Sequence, residues 1–265
     1  LLGLKRQGHH RVLEPWGNVR SFIAKPKSPG EEELYNPTAW VVSPGHCGSS
    51  MLHSTLGQGG FEVATDSVLR KVKVGVLKSH SILLKWEGKS CIRYAERGGF
   101  MWEIEPGDKV IYLYAHPLNM VLAFHKKITL SPLTWYQGHH HYVELGCNTN
   151  ESFMENYLTK DVLNLEKHLD TWWTQKDVDV LCIKYESLYD CQEVIKSFVE
   201  GPTATNPKIN YRFELAPYKA RKTNWKESIH KEQLLETYAK VIEKYEQRPD
   251  YEIFLAQNDT RVLKP

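Results

Sequence analysis

The sequence predicts an α/β fold, a three-layer sandwich with a mostly parallel central sheet and a phosphate-binding strand-loop-helix. Three observations predict it. Apolar runs of strand length recur at residues 39–42 (AWVV), 72–77 (VKVGVL), 108–114 (DKVIYLY) and 178–185 (VDVLCIKY). Helix-like runs stand between or after them, as in a sheet whose parallel strands are joined by helices. The first run leads into a turn at 43–48 (SPGHCG) and a helix that opens at Ser49 and Ser50. Such a turn gathers backbone N–H groups at the positive end of a helix dipole, which suits a phosphate.

Length and composition narrow the class. The 265 residues suffice for a sizeable core, and read as a polar N-terminal arm over 1–38 followed by a single domain over 39–265. The chain has 34 basic and 32 acidic residues, a net charge of +2. That balance gives no argument for a nucleic acid or a membrane surface as partner. No apolar run is long enough to span a bilayer. The five cysteines (Cys47, Cys91, Cys147, Cys182 and Cys191) are scattered and form no C-x-x-C pair. This favours reduced thiols in a cytoplasmic protein over a disulfide framework or zinc site. Leu1 opens the chain without a methionine, which reads as trimming and leaves room for a removed targeting segment.

Taken in order, the first helix runs to Leu56 and ends at the glycines of GQGG. Cys47, inside the turn, reads as a small loop residue, because no neighbouring base marks it as an activated thiolate. The second strand stops at Lys78-Ser79-His80. Ligands gather at the carboxyl ends of parallel strands, so Lys78 and His80 offer a cation and a base at the same mouth as the first turn. Residues 81–107 read as mixed, with Trp86 and Trp102 as core or lid aromatics. The third strand meets Ala115-His116-Pro117, and the proline suits the start of a helix. Residues 128–150 read as an irregular insertion. The adjacent histidines His139, His140 and His141 lack the spacing and partners of a metal site, so no metal is expected. One helix is predicted over 153–174, a further strand over 178–185, an amphipathic helix over 187–200, a last helix over 228–246, and an irregular tail from Gln247.

The order of these motifs resembles the sulfotransferase family that uses 3'-phosphoadenosine 5'-phosphosulfate (PAPS). The turn SPGHCGSS is similar to the family's P-K-S-G-T-T loop, with Gly48, Ser49 and Ser50 on Gly-Thr-Thr and His46 on the loop's cation. Lys78-Ser79-His80 is similar to K-T-H. Residues 109–124 (KVIYLYAHPLNMVLAF) resemble Y-x-x-R-[ND]-x-x-D-x-x-x-S. Residues 184–188 (KYESL) are similar to Y-E-D-L, and 221–226 (RKTNWK) look like a shortened R-K-G-x-x-G-D-W-K. Trp172-Trp173 falls where the family often has W-W. These matches span about residues 39–226.

The resemblance implies sulfuryl transfer from PAPS to a hydroxyl or amine of a small-molecule acceptor. It implies that Gly45, His46, Cys47, Gly48, Ser49 and Ser50 hold the 5'-phosphosulfate. His80 would be the general base, Lys78 and His46 would supply positive charge at the leaving group, Tyr185 would lie near the adenine, and Arg221 and Lys222 would clamp the 3'-phosphate. The chain departs from the family's pattern in several places: its arginine falls on Ala115 and its serine on Ala123, His46 replaces the loop's cation, and the glycines of the R-K-G segment are missing. Arg221, Lys222 and His116 would then carry more of the 3'-phosphate. Two other readings stand beside this one. A catalytically altered, ligand-binding relative is motivated by Ala115 and Ala123. An ATP-dependent small-molecule kinase has against it the absent Gly-Lys-Ser/Thr of a P-loop.

Overall fold

The computed structural model describes residues 39–58, 76–80, 83–86, 89–94, 100–104, 108–130, 149–175, 177–200, 215 and 224–256. At 57, 58, 76–78, 83–86, 89, 91, 93, 94, 100–103 and 200 it describes the backbone only. The N-terminal arm, the histidines at 139–141 and the Arg221-Lys222 pair lie outside the described residues.

The first unit forms as its sequence predicts. Strand β1 (Ala39–Val42) is buried along its whole length, and helix α1 (Ser49–Gln58) follows the turn. A strand covered on both faces must be apolar at every position, which is why AWVV shows no alternation. Strand β2 (Val76–Ser79) pairs parallel to β1, with Val41 opposite Lys78 and Val42 opposite Ser79. It runs two residues beyond the predicted end at Leu77. Pairing with β1 continues through Lys78 and Ser79, so tertiary register overrides their polarity.

Residues 81–107 hold more order than predicted. Strands β3 (Leu83–Trp86), β4 (Lys89–Tyr94) and β5 (Phe100–Glu103) form a separate antiparallel sheet in the order β3-β4-β5. The side chains of Trp86 and Trp102 lie outside the described residues. Strand β6 (Lys109–Tyr114) then enters the main sheet, and α2 (Pro117–Leu130) begins at its proline.

Two predicted helices are each broken. The predicted helix 153–174 is divided between α3 (Asn150–Asn156), which starts three residues earlier than expected, and α4 (Leu165–Thr174), separated by a turn that ends at Asn164 in a left-handed conformation, φ 52°. The N-cap Asn164 makes no side-chain cap bond; instead the Asp161 carboxylate accepts from the Glu166 amide at 3.0 Å and satisfies one of the free amides that open the second helix. Strand β7 (Asp179–Lys184) passes into a 3-10 turn (Tyr185–Ser187) and then α5 (Gln192–Glu200). A second 3-10 turn (Trp225–Glu227) precedes α6 (Lys231–Thr237) and α7 (Ala239–Glu246), which divide the predicted helix 228–246 at Tyr238. There Thr237 donates to Leu158 O at 2.6 Å and Tyr238 to Lys160 O at 3.0 Å, binding the break to the turn after α3. The tail is not irregular throughout: β8 (Tyr251–Phe254) closes the sheet.

The main sheet has the order β2-β1-β6-β7-β8. The β1–β2, β1–β6 and β6–β7 pairings are parallel and β7–β8 is antiparallel, so the sheet is mostly, not wholly, parallel. Helices cover both faces. Lys109 reaches Phe198 O of α5 on one side (2.5 Å). On the other, Tyr112 stacks on His168 and Trp172 of α4, and Tyr114 meets Trp173 and Tyr245 edge-on. Among the described residues no helix is long and apolar enough to cross a membrane.

Candidate functional site

The carboxyl ends of β1, β2, β6 and β7 meet at one edge of the sheet, where β1, β6 and β7 pass into short connections and His80 follows β2. The turn after β1 is the most irregular. The Ser43 amide donates to Ser79 O at 3.1 Å, extending the β1–β2 pairing by one residue. Its hydroxyl accepts from the Gly45 amide at 3.3 Å, a local bond that bends the chain. Gly45 (φ 106°), His46 (φ 53°) and Gly48 (φ 83°) then adopt positive φ. Glycine does so at little cost, whereas His46 is held there by its surroundings. Its ring meets Phe124 of α2 edge-on at 4.3 Å.

Cys47 is fully buried, and its thiol donates to Leu113 O at 3.0 Å. It fastens the turn to β6, in keeping with the small-loop-residue reading. Gly48 is required twice. Its φ disfavours a side chain, and a Cβ there would lie 2.5 Å from Tyr185 Cε2 and 2.8 Å from Cδ2. Tyr185, half-buried in the 3-10 turn after β7, is thus the wall behind the loop. The first helical bond of α1 runs from Leu52 N to Gly48 O at 3.0 Å, so the amides of Ser49, Ser50 and Met51 precede the intrahelical ladder. Ser49 is buried and Ser50 exposed.

His80 follows β2 directly and reaches across to this turn. Its Nδ1 lies 2.9 Å from Ser43 O and 3.1 Å from Ser43 Oγ. A carbonyl oxygen can only accept, so Nδ1 carries the proton and Nε2 is the basic nitrogen of the neutral ring. One backbone carbonyl of the loop therefore selects the tautomer of the predicted base. The side chain of Lys78 lies outside the described residues. Its backbone sits opposite Val41, two positions before His80.

The turn after β6 is built differently. Ala115 is fully buried, in the place of an expected arginine. The His116 amide, at the start of α2, donates to Glu186 Oε1 at 3.3 Å, and Tyr245 donates to Glu186 Oε2 at 3.0 Å. The His116 ring stacks on Trp225 (5.0 Å, 10°), whose amide donates to Asn119 Oδ1 at 3.2 Å. Sequence reasoning gave His116 a role and quoted its partners Glu186 and Trp225 only as members of the KYESL and RKTNWK segments.

The structure brings together Ser43, His46, Gly48, Ser49, Tyr185 and His80, and leaves Arg221 and Lys222 outside the described residues. It adds one residue the sequence reading passed over, His168. This histidine lies four positions before Trp172, one helical turn along the buried face of α4, a spacing that marks it as inward-facing. Among the described residues no group of three or more metal-binding side chains occurs.

No family model matches the chain, and no curated protein matches it. Among solved structures, the mouse sulfotransferase SULT7A1 complexed with PAP is similar to it over 81% of this chain and 94% of that one, at 14% identity and a TM-score of 0.39. A superposition that loose leaves the function to be argued from the residues themselves.

Proposed function

We propose that this protein is a PAPS-dependent sulfotransferase that acts on a hydroxyl or amine of a small-molecule acceptor, with His80 as general base. One observation carries the reading. The Nδ1–H of His80 is committed to Ser43 O, so the neutral form of the ring presents a basic Nε2 beside a glycine-bearing turn at a helix start. The base meets the loop at Ser43, whose carbonyl oxygen and hydroxyl both lie within hydrogen-bond distance of Nδ1.

The residues fit the group at one end. Positive φ at Gly45, His46 and Gly48, followed by the amides that open α1, makes a backbone cradle of the kind anions occupy. Residues 45–50 would hold the phosphosulfate, and Lys78 and His46 would balance its charge. When bound, PAPS supplies the sulfuryl group on a phosphate leaving group. His80 Nε2 takes the acceptor's proton, work that suits an imidazole because its pKa lies near working pH. Positioning and charge balance by the loop do the rest.

At the other end the described residues fit less well. Ala115 brings no charge, and the Glu186 carboxylate already occupies the amide at the start of α2. This observation favours a second reading, a ligand-binding relative whose 3'-phosphate site is altered. Arg221 and Lys222 decide between the two. In calorimetric titration, adenosine 3',5'-bisphosphate is expected to bind more tightly than ATP with magnesium, and Arg221→Ala to weaken it about tenfold or more. Absence of bisphosphate binding would sink both the cofactor assignment and the role of His80.

A further inference from the structure

Behind His80 lies a second, wholly internal pair that sulfuryl transfer does not itself require. His168 Nε2 is 3.1 Å from the backbone oxygen of His80, and His168 Nδ1 is 3.1 Å from the Tyr112 hydroxyl. Both side chains are buried, and their rings stack at 5.5 Å. Proton bookkeeping allows one arrangement for a neutral ring. The His80 carbonyl can only accept, so Nε2 of His168 carries the proton. Nδ1 must then accept, so Tyr112 donates. The chain runs Tyr112 O–H to His168, His168 Nε2–H to the His80 carbonyl, and His80 Nδ1–H to the Ser43 carbonyl.

We propose that His168, oriented by Tyr112, is a positioning residue for His80: it grips the backbone of the base from the sheet interior while Ser43 grips the ring from the loop. The proposal deepens the sulfotransferase reading and rests on His80 being the base there. The packing explains why a histidine can do this. β6 offers Tyr112 and α4 offers His168 across the same layer, and a ring with a donor at one nitrogen and an acceptor at the other spans from the hydroxyl to the carbonyl. Burial holds His168 neutral, with its pKa lowered to about 4, so the bond pattern persists across the working range. Burial also raises the Tyr112 pKa well above its ordinary value. Cys182, Cys47, Tyr114 and Asp170, the titratable groups that act on it electrostatically, push the same way, so its hydroxyl remains a donor.

The test needs no acceptor and no cofactor. Ring-nitrogen NMR of the histidines in the full chain reads tautomer and titration directly. His168 is expected to be protonated at Nε2 and not to titrate between pH 5 and 8, and His80 at Nδ1. In His168→Leu, His80 is expected to lose its single tautomer. In His168→Gln, whose amide can donate to the same carbonyl, the single tautomer returns. Tyr112→Phe, which keeps the ring stack, should shift the His168 Nδ1 resonance alone. A wild-type His168 protonated at Nδ1 or titrating near pH 6.5 would overturn the proposal, even if the variants do not fold. So would a His80 tautomer unchanged in folded His168→Leu. These outcomes are separate from the bisphosphate titration, which can fail while the His168 geometry stands.

Discussion

Two turns leave the same edge of one parallel sheet, and the chain has treated them in opposite ways. After β1 it spends six residues, three of them at positive φ, and keeps side chains small at Ser43, Gly45, Cys47 and Gly48. After β6 it passes from strand to helix through Ala115 and His116, and fills the start of α2 with Glu186, Tyr245 and Trp225. Both helix starts have the same dipole. One is surrounded by backbone and a tautomer-selected histidine, the other is already neutralised by a carboxylate of the chain itself. The difference teaches that a carboxylate of the chain itself can take up a helix start, as Glu186 does at α2.

The largest effect that would break the comparison is expected at Gly48. Alanine there needs a positive φ and a Cβ inside the van der Waals envelope of the Tyr185 ring. Left-handed backbone costs a non-glycine residue about 1–2 kcal/mol, and overpacking adds about 1–3. Gly48→Ala should therefore lower stability by roughly 2–5 kcal/mol in urea unfolding, and Gly48→Ala with Tyr185→Leu should recover part of it. An additive double mutant would show that the ring does not impose the glycine.

A smaller effect concerns the layer beneath the first turn. Burial lowers the His168 pKa to about 4, against 6.5 for an ordinary histidine. Between those values the unfolded chain binds a proton that the folded chain refuses, so stability is full above pH 6.5 and falls as the pH drops toward 4. The span corresponds to about 3 kcal/mol by linkage. The buried Asp161, whose pKa is raised by burial, works in the opposite sense, but it is common to wild type and variant. The urea midpoint should fall more steeply between pH 7 and 4.5 in wild type than in His168→Gln. Parallel slopes would mean that His168 is charged or solvated in the native protein.

How much of this was legible in the sequence depends on how local its cause is. AWVV, KVIYLY and DVLCIK declare themselves because strands buried on both faces are apolar throughout. The turn after β1 is equally local: glycines, a proline and three serines at a strand-helix junction. The three-stranded sheet over 83–103 and strand β8 were missed because their order comes from pairing, and runs such as KSCIRY and YEIF are mixed in polarity. The helix break near Asn164 goes with a polar acceptor at Asp161, and the break at Tyr238 arises where Thr237 and Tyr238 bind carbonyls of the distant turn after α3, which no periodicity reports. In the site, His80 was visible as a strand-end residue. Its partners Ser43 O and His168 were not, because one is a backbone atom and the other sits amid Leu165, Leu169 and Trp172 on a face that reads as plain core.

The finest distinction between the two turns is one charge. In Glu186→Gln the amide oxygen can still accept from the His116 amide or the Tyr245 hydroxyl, but the negative charge is gone. A carboxylate at a helix start contributes about 0.3–1 kcal/mol, so stability should fall slightly. If the start of α2 receives the second phosphate, affinity for adenosine 3',5'-bisphosphate should rise severalfold, most clearly at low salt, where exposed charges are least screened. Affinity for inorganic pyrophosphate, whose seat would be the turn after β1, should change less. Equal gains for both ligands would reflect only the altered net charge. An unchanged bisphosphate affinity would place the second phosphate away from α2 and leave Glu186 as a structural acid that holds that helix start closed.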